Sequence, residues 1–218
     1  MPSRLNALSA SCAALCVALV LGACQRAEVS TALGVLPAAR PASASSAPTL
    51  APAPTPTPAP LKLPLVAPKL VISKSNRTLE LYSGGQVVKT YRVALGRNPT
   101  DDKERQGDRR TPEGEFYVCL KNEHSQFYLS LGLSYPNEED AARGLRDGLI
   151  TQAQHDRIVR AIRRKQKPPW DTPLGGEIMI HGGGTASDWT WGCIALADAD
   201  IKELFDALPN GTPVIITH

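Results

Sequence analysis

Cys193 and His181 are the two residues of this chain best suited to chemistry. Cys193 sits in Trp189-Thr190-Trp191-Gly192-Cys193-Ile194-Ala195-Leu196, twelve positions after the histidine of Ile180-His181-Gly182-Gly183-Gly184. A thiol becomes a usable nucleophile when a modest pKa depression ionises it. A nearby imidazole can take the thiol proton and later return it to a leaving amine. The residues between the two are rich in Gly, Ser, Asp and Trp, a composition suited to shaping a cleft rather than to a regular element. The pair points to cysteine-dependent acyl transfer.

Other chemistries fit less well. His124 beside Glu123, taken with His181, suggests a metal peptidase, yet no His-x-x-x-His or comparable pair puts ligands on one face. Neither a metal nor a cofactor is expected. Gly182-Gly183-Gly184 lacks the Lys-Ser or Lys-Thr of a phosphate loop and reads as a tight turn or a close approach to substrate. His155 falls on an apolar helical stripe and is expected to be a packed or partly exposed helix residue. Trp170, Trp189 and Trp191 are candidates for a substrate wall, with core and rim packing as the other reading. Asp188 is a candidate substrate contact or an exposed loop carboxylate. Cys119, in the strand-like run Glu115 to Leu120, is either a small buried hydrophobe or, in an oxidising compartment, a disulfide partner for Cys193.

The elements that must position this pair can be read from periodicity. Leu70-Val71-Ile72, Leu79 to Tyr82 and Val87 to Leu95 have strand character, with turns at Ser75-Asn76-Arg77 and Ser83-Gly84-Gly85-Gln86. Arg97 to Arg110 is highly charged without apolar periodicity and is expected to be a surface loop. Thr111-Pro112-Glu113-Gly114 turns the chain into the strand holding Cys119. Glu138 to Leu149 reads as a helix interrupted by Gly144. Thr151 to Gln154 is a capping-box start for a helix with a stripe of His155, Ile158, Val159 and Ile162, stopped by Lys167-Pro168-Pro169. Glu177 to Ile180 reads as a short strand that delivers His181 at its end. Asp198 is expected to cap a last helix through Leu208, and Asn210-Gly211 leads into a final strand at Pro213 to Ile216.

Three segments differ in composition. Residues 1–24 read as an export signal: Arg4 precedes an apolar run from Ala10 to Leu21, shorter than the ~20 residues of a membrane span. The run ends in Leu21-Gly22-Ala23-Cys24, which resembles the lipobox of bacterial lipoproteins. Cleavage there would leave Cys24 lipidated and the protein tethered to a membrane, at the periplasmic face of the outer one in a two-membrane host. An ordinary signal peptide with a chance cysteine is the other reading. Residues 25–68 are dominated by Pro, Ala, Ser and Thr and read as a disordered, extended linker. Residues 69–218 are long enough for one core. Four basic residues and one acidic residue precede Lys69, so the chain's 24 Lys+Arg and 21 Asp+Glu leave 20 of each beyond it. That balance argues against nucleic acid as a partner, and the basic run Arg157 to Lys167 reads as a solvated helix face.

Taken together, Ile180-His181-Gly182 and Thr190-Trp191-Gly192-Cys193-Ile194 resemble the YkuD-type catalytic domain of bacterial L,D-transpeptidases. Val93-Ala94-Leu95-Gly96 and Gly107 to Phe116 support the resemblance. Ser130 to Pro136 and Pro169 to Gly176 resemble the subgroup with a helical insertion. The resemblance implies a mixed, mainly β fold: a β-sandwich with peripheral helices and a helical insertion. It implies Cys193 as nucleophile and His181 as general base and acid. The backbone carbonyl of Gly182 would orient the imidazole, and Gly192 would supply backbone N–H to an oxyanion hole. The implied partner is the peptide stem of peptidoglycan, attacked on the L-centre of a dibasic third residue. The resulting thioester passes to an amine, giving a cross-link or an attached wall protein, or to water.

The sequence also departs from the family pattern. Many relatives carry Ser-His-Gly-Cys and an Arg two residues beyond the cysteine. Here the stretch is Thr190-Trp191-Gly192-Cys193, with Ala195 in place of the Arg. Hydrolysis of stems, cross-links or protein attachments therefore stands beside transpeptidation, with a non-enzymatic wall-binding lipoprotein as a third reading.

Overall fold

The computed structural model describes residues 60–218. The expected signal at 1–24, its Cys24 and the linker up to residue 59 lie outside the described residues. The remainder of the expected linker is docked on the domain. Leu61 and Leu65 pack against the main core, Leu61 N–H donates to Glu203 Oε1 at 2.9 Å, and Val66 N–H donates to Ser83 Oγ at 2.9 Å. The packed domain thus includes Leu61 and Leu65, upstream of the expected boundary at Lys69, because this short stretch carries apolar side chains to bury.

The strands are β1 (Lys69–Ser73), β2 (Thr78–Ser83), β3 (Gln86–Arg92), β4 (Gly114–Ser125), β5 (Tyr128–Leu133), β6 (Met179–His181), β7 (Ile194–Ala195) and β8 (Pro213–Thr217). They form one sheet in the order β3-β2-β1-β8-β4-β5-β6-β7. β8 lies parallel to β1 and antiparallel to the first residues of β4. The rest of β4 pairs with β5. Beyond β3 the chain reaches across to the far edge, where Ala94 exchanges two backbone hydrogen bonds of 2.9 and 2.8 Å with Ala195. The sheet therefore folds over on itself. Alternating residues of one half (Leu70, Ile72, Leu79, Leu81) share a core with those of the other (Leu131, Leu133, Ile180, Ile194). This is the mixed, mainly β arrangement expected.

β5 has no counterpart among the strands expected from the sequence. Gly132 at its centre weakens the strand pattern, and that glycine is a packing device. A Cβ there would fall 2.6 Å from the Leu120 side chain, so the absent methyl leaves room for Leu120.

Between β5 and β6 lies the helical insertion, α1 (Glu138–Arg146) and α2 (Gln152–Arg163). Both open with capping boxes, Asn137 with Asp140 and Thr151 with Gln154. They close on a small core of their own: Ala141, Ile150, Ile158 and Leu174. α1 runs through Gly144 without interruption and stops at Arg146. A Cβ at Gly144 would stand 2.8 Å from the Leu174 side chain, so this glycine too serves packing. α3 (Asp198–Ala207) has Ala197, not Asp198, at its N-cap, with no side-chain cap bond. The Asp198 carboxylate is used next to His181 instead. Residues 97–110 form the expected surface loop, with one exception to its exposure: Lys103 is buried, 3% exposed.

Candidate active site

Strand alternation builds the site. β6 and β7 are parallel neighbours, with Ile180 opposite Ile194 and His181 opposite Ala195. Paired residues share a face, and successive residues alternate. Ile180 and Ile194 are fully buried in the core, so His181 and Ala195 face the other way. Met179, two residues before His181, and Cys193, one before Ile194, also fall on that face. β5 extends it, because Ser130 pairs with His181, and β4 extends it again through Asn122, opposite Ser130. Asn122, Ser130, Met179, His181 and Cys193 all line one cleft of about 830 Å³.

His181 is 2% exposed, and its surroundings fix its tautomer. Its Nδ1 lies 2.6 Å from the carbonyl oxygen of Gly182. A carbonyl can only accept, so Nδ1 carries the proton and Nε2 keeps its lone pair. Burial holds the imidazole below its ordinary pKa, with the Gly182 carbonyl pulling the other way. At neutral pH the ring is therefore an uncharged base. Phe127 stacks on it at 4.6 Å between centroids, 24° from parallel. Trp189 meets it edge-on at 5.5 Å. Phe127 is a site residue that the sequence reading missed; it stands in the β4–β5 turn, where only proximity in the fold connects it to His181.

The loop after His181 is fastened to α3. Asp198 Oδ1 accepts the N–H of Gly183 at 2.8 Å, and Phe127 O accepts the N–H of Gly182 at 3.0 Å. A Cβ on Gly182 would fall 2.4 Å from Asp198 Oδ1, so only glycine permits this closeness.

Cys193 differs from the expectation of a thiol with a depressed pKa. Burial pushes the thiol up to about 11, against the Met179 N–H and the Lys103 ammonium, which pull it down. Its Sγ–H points to the Glu177 carbonyl at 3.5 Å. The ground state is thus a neutral thiol and a neutral imidazole that line the same cleft. Cys119 and Cys193 are both free thiols, and burial raises Cys119 to about 11 as well.

Gly192 also departs from its expected role. Its N–H donates to Thr190 Oγ1 at 3.1 Å, so it is occupied and does not face the cleft as an oxyanion donor. Its φ is +128°, and a Cβ would stand 2.6 Å from Arg110 O. Gly192 is needed for the path of the chain into Cys193. Thr190, 2% exposed, holds that turn from inside; the sequence reading quoted it only as part of a motif.

The remaining candidates separate. Trp189 belongs to the cleft, its Nε1 tied to Gly184 O at 3.1 Å. Trp191 stands at the cleft rim, 64% exposed, with the Arg109 guanidinium 4.7 Å over its ring. Trp170 is elsewhere. It packs where a Cβ on Gly176 would be, donates from Nε1 to Tyr135 O at 3.0 Å, and lines a second groove with Arg157, Arg160 and Lys167. Asp188 is not in the cleft lining. Its carboxylate pairs with Arg77 at 2.7 Å and accepts the Leu95 N–H at 2.8 Å, which ties two loops together. His124 lines the cleft, His155 lies on α2 beside Asp156, and no cluster of metal-ligating side chains occurs among the described residues.

A mainly β domain that sets a thiol and a neutral imidazole on one face of adjacent parallel strands, beneath an aromatic wall, defines a cysteine–histidine cleft protein. Residues 67–216 match the L,D-transpeptidase catalytic domain family, YkuD, and the chain belongs to that family. It is similar to Escherichia coli K12 YafK, whose name assigns it to the L,D-transpeptidases, with 27% identity over 155 residues covering 66% of this chain and 50% of that one. It is also similar to Bacillus licheniformis YkuD, named in the same way, with 25% identity over 154 residues covering 68% and 65% of the two chains. Among solved structures it resembles the helical cell shape determining protein Pgp2 of Campylobacter jejuni. That match has 19% identity and a TM-score of 0.47, covering 69% of this chain and 47% of that one. The chain thus spans half the length of YafK.

Proposed function

We propose that this domain is a cysteine acyltransferase acting on the peptide stems of peptidoglycan. The observation that carries the reading is the placement of His181 and Cys193 on one cleft face, with Nδ1 of His181 held by Gly182 O. As Cys193 Sγ attacks the stem carbonyl, its proton passes to His181 Nε2, after a turn about χ1 takes the thiol from Glu177 O. The carbonyl becomes a tetrahedral oxyanion. With Gly192 N–H occupied, the donor assigned to that oxyanion is Cys193 N–H. The C–N bond then breaks, Nε2–H protonates the departing amine, and a thioester remains. An incoming amine or water attacks the thioester, again deprotonated by Nε2, and the thiol is regenerated. Acid–base help of this kind is worth ~10²–10⁴-fold.

Hydrolysis is the second reading, and Ala195 favours it. This residue pairs with His181 but is fully buried and outside the cleft lining, at the position where many L,D-transpeptidases carry an arginine. Incubation with muropeptides, with and without an amine acceptor, and with peptidoglycan bearing attached protein, separates the outcomes by mass spectrometry. New cross-links mark transpeptidation; trimmed stems or released protein mark hydrolysis. A folded protein that processes none of them would overturn the reading. Export and anchoring through Cys24 belong to the same proposal. Palmitate labelling lost on Cys24→Ala is the expected result.

A further inference from the structure

The groove that holds Trp170 lies between α2 and the 166–171 segment that follows it. It encloses about 710 Å³, and α2 lines it with Arg157, Arg160, Ala161 and Arg164. These positions are three and four residues apart, so they form one stripe along the helix. The following segment adds Lys167 and Trp170. The indole is fixed, because its Nε1 donates to Tyr135 O at 3.0 Å, and Lys167 Nζ stands 4.1 Å over its ring. Tyr117 OH donates to Gln166 O at 2.7 Å, which ties the segment to β4. The groove is therefore shaped by the fold itself.

Its lining holds four cations against two carboxylates, Asp171 and Glu177, in a domain whose charges balance overall. Arg157 is paired with Asp171 at 3.1 Å. Arg160 and Arg164 have no ion pair among the described residues. Arg160 reaches Asp156 only as a charge at a distance. That carboxylate accepts from Gln152 at 2.8 Å and lies 2.9 Å from His155 Nδ1. Arg164 follows Arg160 by four residues, a like-charge spacing that destabilises a helix. The helix dipole favours a cation in the last turn, but not a row of three along one face.

We propose that this groove docks an acidic, extended segment of another protein, its carboxylates taken by Arg160 and Arg164 and its backbone laid against Trp170. Arg160 and Arg164 are about 6 Å apart along the helix axis. Alternate side chains of an extended strand, which share one face, are about 6.6 Å apart. Two carboxylates at alternate positions therefore meet two guanidiniums, each able to bind in bidentate fashion. A membrane surface suits the groove less well. The large apolar side chains exposed among the described residues, such as Leu63, Val66, Tyr128 and Trp191, line no part of it, so no exposed apolar anchor stands there to enter a lipid interface. The inference stands apart from the chemistry at Cys193 and from the peptidoglycan reading.

The test is fluorescence anisotropy with the full chain and a labelled hexapeptide of alternating Glu and Ser. A peptide of alternating Gln and Ser is the control. The glutamyl peptide should bind saturably and about tenfold tighter than the control, the scale of a charged hydrogen bond, and salt should release it. The double variant Arg160→Gln, Arg164→Gln should lower that affinity about tenfold while melting with the wild type, as exposed substitutions do. Arg163→Gln, off the stripe and paired with Glu138 at 3.2 Å, should bind as the wild type does. No saturable binding, equal binding of the two peptides, or an equal loss on Arg163→Gln would overturn the proposal, the last marking general attraction to a basic helix. The comparison of the two peptides needs no variant, so it decides even if the double variant melts early. Sedimentation with phosphatidylglycerol vesicles is the remaining arm. Vesicles held through Arg160 and Arg164, with no binding of the glutamyl peptide, would assign the groove to a membrane and remove the protein partner.

Discussion

Thr190 Oγ1 donates to the carbonyl of Cys193 at 2.7 Å while accepting the N–H of Gly192 at 3.1 Å. One buried hydroxyl thus satisfies two backbone groups of the turn that carries the thiol. Thr190→Val keeps the shape and removes both bonds. Stranding buried polar groups costs ~1–3 kcal/mol each, so thermal unfolding should show a loss of about 2–4 kcal/mol. Thr190→Ser should recover most of it. A valine variant as stable as the wild type would remove Thr190 from this role.

Phe127 keeps water from one face of His181. Burial is what lowers the His181 pKa, so Phe127→Ala should let it rise towards the ordinary histidine value. The base must be neutral to act, and the acid limb of the kcat/KM–pH profile should therefore move to higher pH. Activity would fall most at mildly acidic pH and least above pH ~8. A limb that stays in place while activity falls equally at all pH values would show that Phe127 shapes the cleft without tuning the base.

The same shift affects stability. His181 has a folded pKa below its unfolded one, so its contribution is fully present above about pH 6.5. It is lost as pH falls through that value towards the folded pKa, because the unfolded chain binds the proton first. Denaturant unfolding at pH 7.5 and at pH 5.5 should show a decline for the wild type that His181→Gln reduces. An identical decline in the variant would assign it to other groups.

A neutral thiol at about 11 makes a separate prediction about reactivity. Alkylation of Cys193 by iodoacetamide should keep rising above pH 9, and His181→Ala should leave the midpoint of that rise unchanged. Acylation by a carbapenem-type β-lactam requires proton transfer as well as a thiol, so intact mass should show no adduct on His181→Ala or Cys193→Ala. Cys119→Ala should keep the adduct. An adduct surviving on Cys193→Ala would move the nucleophile elsewhere.

The strands β1, β2 and β8, the start of α2 and the presence of His181 and Cys193 in one cleft were legible because each rests on local periodicity or a short motif. β5 was hidden by Gly132, whose role is to admit Leu120 from the neighbouring strand. Phe127 and Lys103 come from turns with no pattern of their own and reach the cleft only through folding. Asp188 and Trp170 were misplaced for a related reason. A carboxylate and an indole in a cleft-forming segment look alike whether they face substrate or hold loops together. Here Arg77 and Gly176 claim them.

The last prediction concerns the approach of the chain to Cys193. Gly192 and Gly184 both have positive φ, +128° and +95°, but their surroundings differ. A Cβ on Gly184 meets nothing within 4 Å, whereas one on Gly192 would stand 2.6 Å from Arg110 O and 3.2 Å from Ile178 Cδ1. The Arg110 backbone cannot easily yield, because its N–H is bonded to Asp108 and its guanidinium to Asp101 and Asp102. Gly184→Ala therefore carries only the backbone penalty, about 1 kcal/mol. Gly192→Ala adds the collision and should cost several kcal/mol more, on the order of 3–5 in total. It should also displace the Cys193 backbone and with it the sulfur. Paired thermal melts and carbapenem acylation of the two variants read both effects. Equal melting points would mean that backbone strain alone demands glycine here. A stable Gly192→Ala protein that still acylates at the wild-type rate would show that the close approach to Arg110 does not position Cys193.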